Sequence, residues 1–135
     1  MLKSENMFWQ WDKEIPPIVC QAIIKRGLEL DIVDAEIGNN LEDDKGKIDH
    51  SVRNSKVGFF NTDTDAWRKL SMTIILSDPN HYNGGEFIFE NGEDEIFKNQ
   101  GTVIVFPSFI RHRVNSVTKG IRYSLVNWFI GPAFK

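Results

Sequence analysis

The sequence predicts a mainly-β fold with one N-terminal helix, an α+β chain whose strands build an antiparallel sandwich or jelly roll. Three observations carry this reading. From about residue 52 onward, short runs rich in Val, Ile and Phe alternate with clusters of Gly, Asn, Asp, Pro and Ser, the pattern of strands joined by close turns. Those turns are too short for the crossovers that a parallel sheet needs. Ahead of them, one stretch after Pro16-Pro17 has apolar residues at helical spacing.

Met1–Ile15, with Met7, Phe8, Trp9 and Trp11, reads as an extended segment across the core. Pro16-Pro17 ends it and opens a helix, since proline is tolerated in a first turn whose N–H groups have no partner. Ile18, Val19, Ala22, Ile23 and Ile24 then form one apolar face, Lys25 and Arg26 sit near the C-terminal end, and Gly27 is a stop. Cys20 is a small core or boundary residue on that helix. Asp31–Gly38 alternates as a strand. Asn39–His50 is a polar loop whose Glu42, Asp43, Asp44 and Asp49 lack the spacing of a calcium loop, so it reads as solvated and His50 as a surface residue.

Ser51–Phe60 is a further strand, followed by the polar Asn61–Ala66 and the buried strand Leu70–Ser77. Asp78-Pro79-Asn80 and Asn83-Gly84-Gly85 are turns, with His81 solvent-facing between them. Glu86–Glu90 places Phe87 and Phe89 on one face, Asn91-Gly92 turns a hairpin, and Glu93–Phe97 returns. The last third reads as two strands, Thr102–Phe106 and Ile121–Phe129, joined by a loop carrying His112. Arg122 follows His112 by ten residues, at the start of the second strand. A His at the mouth of such a pair, with an Arg directed to the same interior, is half of a metal-and-carboxylate site.

The length of 135 residues bounds the chain to one domain, 1–135, with a helix and strands over 1–60 and a β core over 61–135. Net charge is −3 with both signs interspersed, which argues against a nucleic-acid partner. The single cysteine excludes an intrachain disulfide and suits a reducing compartment. No run approaches a membrane span and the N-terminus lacks a signal pattern. The expectation is a soluble cytoplasmic protein with no membrane partner.

Four ordered stretches share a resemblance: VRNSKVGFF (52–60), RKLSMTIILSDPNHYNGGEFIF (68–89), GTVIVFPSFIRHRV (101–114) and VTKGIRYSLVNWFIGP (117–132). Together they resemble the 2-oxoglutarate and Fe(II)-dependent dioxygenases, in the prolyl-4-hydroxylase-like, PKHD-type branch common in bacteria and phages. The resemblance implies a double-stranded β-helix, a jelly roll with helices on one side. It also implies O₂-dependent hydroxylation of a peptidyl or small-molecule C–H bond coupled to 2-oxoglutarate decarboxylation, with ascorbate as an accessory reductant. In that family two His and one carboxylate hold Fe(II) and leave positions open for 2-oxoglutarate and O₂. By the resemblance His112 is the distal iron ligand, and Arg122 pairs with the far carboxylate of 2-oxoglutarate through its planar fork. Ser124, on the same strand face, adds a hydrogen bond to that carboxylate. Asp63, or alternatively Asp65, is the candidate triad carboxylate by position; if the segment before it has been deleted, both are loop residues.

Two departures qualify the resemblance. The family's H-x-D motif is missing: Asn61-Thr62-Asp63 has Asn in the position of the first His. A helix and strand, about 20–30 residues at average lengths, are also missing between Phe60 and the RKLS strand. An internal deletion explains both. It predicts an incomplete β-helix, an impaired iron site, and an exposed sheet edge prone to self-association. The functional classes are therefore an impaired hydroxylase, a non-catalytic β-helix remnant, and a cupin-like module in which Arg122 holds an anion without iron.

Overall fold

The computed structural model of the 135-residue chain describes residues 8–34, 56–58, 68–90 and 97–132. They form two compact units, one of Met1–Ile24 with Thr64–Lys135 and one of Lys25–Asp63. The larger unit is built on a four-stranded antiparallel sheet. Its strands are β1 (Trp9–Trp11), β4 (Arg68–Ile75), β7 (Val103–Pro107) and β10 (Ser124–Ile130), in the order β1-β7-β4-β10. Helix α1 (Pro17–Leu28) begins in this unit. The smaller unit contains the hairpin pairing of β2 (Ile32–Asp34) with β3 (Lys56–Gly58), and an exposed Arg26–Glu29 ion pair at 3.2 Å. Asn39–His50 and the acidic residues within it lie outside the described residues.

Period-two alternation explains how one sheet serves two cores. On one face Ile75, Ile104 and Phe106 join Phe8, Phe87, Phe89 and Phe97 in an aromatic cluster. Phe8 stacks on Phe89 at 4.7 Å between centroids, and Phe89 meets Phe106 edge-on at 5.1 Å. On the other face Ile74, Leu76 and Val103 pack against Cys20, with Ile23, Ile24, Met72, Val105 and Leu125 around them. Cys20 is thus a core residue of the helix–sheet interface, fully buried, and burial pushes its thiol pKa up.

Opposite the aromatic face runs a two-stranded ribbon. One arm is β5 (Tyr82–Gly84) and β6 (Phe87–Phe89); the other is β8 (His112–Val114) and β9 (Val117–Gly120). β5 pairs with β9 and β6 with β8, and the bonds Gly85 N to Ser116 O (3.3 Å) and Asn115 N to Glu86 O (2.9 Å) bridge the gap between them. Phe97 closes this layer through a bridge to Phe87. Sheet and ribbon enclosing an aromatic core make the mainly-β double-stranded β-helix.

Several boundaries differ from the sequence reading. The loop expected to carry His112 contains two strands, because Phe89 pairs with His112 and Tyr82 with Gly120. Arg122 does not start the last strand but precedes it. Gly120 turns the chain at φ 76°, and the Tyr123 N–H donates to Ser77 Oγ at 2.6 Å, so the strand begins at Ser124. His81 lies in a 3₁₀ turn (Pro79–His81) that Asp78 caps through the Asn80 N–H, and it is exposed as expected.

Candidate functional site

The adjacent Gly84 and Gly85 shape the interior of the ribbon. Both have left-handed φ, 76° and 66°, which β-carbon sterics disfavour in other residues. A Cβ at Gly84 would run into the Ser116 carbonyl. One at Gly85 would stand 2.7 Å from Arg122 Cδ and 3.2 Å from Tyr82 Cε2. The missing side chain at Gly85 is therefore the space through which Arg122 passes to reach Tyr82.

Arg122 and Tyr82 share one unsatisfied environment. Arg122 Nε and Nη2 and the Tyr82 hydroxyl are all buried, and none meets strict hydrogen-bond geometry with a protein group, although Arg122 and the Tyr82 hydroxyl lie near enough to interact as donor and acceptor. Each unpaired buried donor costs roughly 1–3 kcal/mol, so three together point to an absent acceptor. Burial pushes the guanidinium pKa down, offset in part by the neighbouring Tyr82. Burial pushes the Tyr82 phenol up from its ordinary value, offset in part by the Arg122 charge. The Lys98 ammonium lies 5.1 Å from the Tyr82 ring centroid. The Glu86 carboxylate acts on Lys98 and Tyr82, whereas among the described residues none acts on Arg122, whose guanidinium is suited to an acidic ligand.

His112 stands on β8 across from Phe89, at one end of the ribbon. Its ring stacks on Phe87 at 5.3 Å and meets Phe106 edge-on at 4.7 Å. Its Nδ1 lies 3.2 Å from the Ile110 carbonyl oxygen. A carbonyl only accepts, so this contact makes Nδ1 the donor, and in the neutral ring the lone pair is then on Nε2. That is the arrangement in which a metal-ligating imidazole is held.

The other sequence candidates fare differently. Ser124 is the first residue of β10 and pairs across the sheet with Ile75, whereas Arg122 precedes the strand, so the shared strand face expected for the two is not formed. Ser124 is exposed, and its hydroxyl makes no hydrogen bond among the described residues. Asp63, Asp65, Asn61 and His50 lie outside the described residues. Arg68 stacks over Trp128, 3.7 Å from the ring centroid, and is spent on packing there. No hydrogen bond or ring contact joins His112 to Arg122; His112 is exposed on β8, and Arg122 lies between β9 and β10.

Fit to the two groups that the family resemblance implies is uneven. The orphaned donors of Arg122 and Tyr82 fit the carboxylate of 2-oxoglutarate. Among the described residues no three His, Cys, Asp or Glu side chains gather to hold a metal ion. His112 is suited to be one donor, and an iron site needs others from elsewhere in the chain. Sequence reasoning missed Tyr82 and read Gly85 only as part of a turn, not as the space beside Arg122. The signal was Tyr-x-Gly-Gly, where an aromatic with a polar tip precedes two glycines that clear space beside it.

Comparison with known proteins bears on the same strands. A PKHD-type hydroxylase of Pseudomonas putida (strain W619) is 36% identical over 83 residues, covering 60% of this chain and 35% of that protein. A PKHD-type hydroxylase of Rippkaea orientalis is 45% identical over 65 residues, covering 46% of this chain and 29% of that protein. One from Psychrobacter sp. (strain PRwf-1) is 43% identical over 61 residues, covering 44% and 24%. The matches thus span about a third or less of these relatives. Residues 43–130 match the family model of the 2OG-Fe(II) oxygenase superfamily. That match covers more than half of the chain and includes His112 and Arg122, and the chain belongs to the 2OG-Fe(II) oxygenase superfamily.

Proposed function

We propose that this chain is a hydroxylase-type 2-oxoglutarate/Fe(II) oxygenase domain that retains the carboxylate-anchoring half of its site and turns over poorly on its own. The observation that carries this is the buried Arg122 with unpaired Nε and Nη2 beside the unpaired Tyr82 hydroxyl. The guanidinium fork grips the distal carboxylate of 2-oxoglutarate through two parallel hydrogen bonds, and Tyr82 donates a third. Ser124, two residues after Arg122, adds a further donor. These groups bind and orient the co-substrate and exclude water from its charged end.

Iron, when bound, supplies the oxygen chemistry. His112 would offer it an imidazole nitrogen and Asp63 would be the carboxylate, with the substrate a peptidyl or small-molecule C–H compound. Impairment rests on the whole sequence. Its three histidines, His50, His81 and His112, are each followed two residues later by Val, Asn and Val, so none belongs to an H-x-D motif. A second reading has the same supporting donors: a binding module in which Arg122 and Tyr82 hold an anion without metal.

Anaerobic titration with Fe(II) and 2-oxoglutarate, followed by succinate measurement in air, tests the proposal. The expected result is 2-oxoglutarate binding with a weak metal chelate and little succinate. Rapid succinate formation abolished by His112→Ala would contradict the impairment. Binding unaffected by Fe(II) would favour the metal-free module.

A further inference from the structure

Arg122 lies in the short connection between β9 and β10, and both ends of that connection are tied to one stretch of chain, residues 76–82. At the near end Gly120 pairs with Tyr82, and a Cβ at Gly120 would run into the His81 carbonyl. At the far end Tyr123 lies across from Leu76, where a regular antiparallel pair exchanges two backbone bonds. One of them is made: the Leu76 N–H donates to the Tyr123 carbonyl at 3.1 Å. Side chains take the place of the other. The Tyr123 N–H donates to Ser77 Oγ at 2.6 Å, and the Leu76 carbonyl accepts from Gln100 Nε2 at 2.9 Å. Ser77 is itself buried.

We propose that Ser77 is a positioning residue for Arg122: its hydroxyl ends the β4–β10 ladder at Tyr123 and fixes the backbone from which the guanidinium reaches Tyr82. The substituted bond falls on the residue next to Arg122, whereas the ladder from Ser124 to Phe129 keeps its register. Placement matters there because the Arg122 side chain threads the space at Gly85, where a Cβ would stand 2.7 Å from its Cδ. From Ser77 the chain runs through the capped turn Pro79–His81 directly to Tyr82. One segment thus holds both the backbone beside the guanidinium and the phenol that the guanidinium meets. An arginine held in place before the ligand arrives loses less side-chain freedom on binding. Ser77 acts through Arg122, a role that rests on Arg122 being the carboxylate anchor.

Anaerobic calorimetric titration of 2-oxoglutarate with Fe(II) tests it on the full chain. The proteins compared are the wild type, Ser77→Ala, Arg122→Met and the double variant. Ser77→Ala should weaken binding about tenfold, as when one charge-assisted hydrogen bond of the fork is lost. It should have no further effect in the Arg122→Met background. Ser77→Cys keeps the side-chain size and offers only a weak acceptor, so it gives the same reading if Ser77→Ala does not fold.

The Tyr82 phenol gives a second reading with no ligand present. Arg122 favours its ionised form, Glu86 opposes it, and Lys98 lies over the ring. Ser77→Ala leaves Glu86 and Lys98 unchanged, so a displaced Arg122 should move the Tyr82 titration upward, as Arg122→Met does. Carbon NMR of the tyrosine rings, assigned with Tyr82→Phe, measures this. Wild-type binding in Ser77→Ala with an unmoved Tyr82 titration would overturn the role of Ser77. So would a further loss of binding when Ser77→Ala is added to Arg122→Met. No binding of 2-oxoglutarate by the wild type would overturn the anchor reading instead, and the Tyr82 titration would then decide the role of Ser77 by itself.

Discussion

Tyr82 illustrates how a single residue can oppose stability and binding. Its hydroxyl is buried and unpaired in the protein alone, so Tyr82→Phe removes a desolvated donor at no packing cost and should leave thermal stability equal or slightly raised. The same change should weaken 2-oxoglutarate binding by about tenfold, the value of one hydrogen bond to a charged group. Calorimetric titration and a melting curve on one sample check both. The variant should also lose an alkaline limb. Burial holds the phenol pKa above 10.0 in the folded protein, so its contribution is complete below pH 10 and is lost as pH rises through the folded value. Gly85→Ala should act in the opposite sense on stability. The left-handed backbone and the contact at 2.7 Å with Arg122 Cδ both resist a methyl group, for a loss of about 1–2 kcal/mol and displacement of Arg122. A melting temperature unchanged by Gly85→Ala would refute that account of the cradle.

At the scale of elements, the turn after β1 makes a separate prediction. Asp12 accepts from Thr102 Oγ1 at 2.9 Å and from Asn99 Nδ2 at 3.0 Å, tying the first strand to the start of β7. These bonds hold its carboxyl below the ordinary 3.8, that of Asn99 foremost. The stabilisation is therefore complete above pH 3.8 and is lost as pH falls through the lower folded value. Asp12→Asn should flatten this part of the acid limb in a denaturation series, modestly, because the group is exposed.

Elements also mark where the sequence was readable. The helix was legible because Pro16-Pro17 and the spacing of Ile23 and Ile24 are local signals, and its limits agree within a residue or two. The strands β4 and β7 were legible from continuous apolar runs. β8 and β9 were not: each has three or four residues, exposed throughout, and HRV and VTKG carry no apolar alternation. They are strands because β6 and β5 lie beside them, and that pairing is a tertiary fact. The site divides in the same way. His112 and Arg122 stood out by residue type and motif, whereas Tyr82 became visible only when burial revealed an unpaired hydroxyl.

For the whole molecule, the two faces of one sheet have different tasks. The helix-covered face, centred on Cys20, Ile74 and Val103, supplies stability largely through apolar packing. The aromatic face, with the ribbon across from it, presents His112 and the Arg122–Tyr82 pair. The central claim is that the buried, unpaired Arg122 is a carboxylate anchor. The most direct test is anaerobic calorimetric titration of 2-oxoglutarate into the wild type and Arg122→Met, each with and without Fe(II). The account predicts saturable binding by the wild type and a loss on the order of a hundredfold in Arg122→Met, as expected for two charge-assisted hydrogen bonds. Equal binding by the two proteins, or no binding by the wild type under either condition, would contradict it.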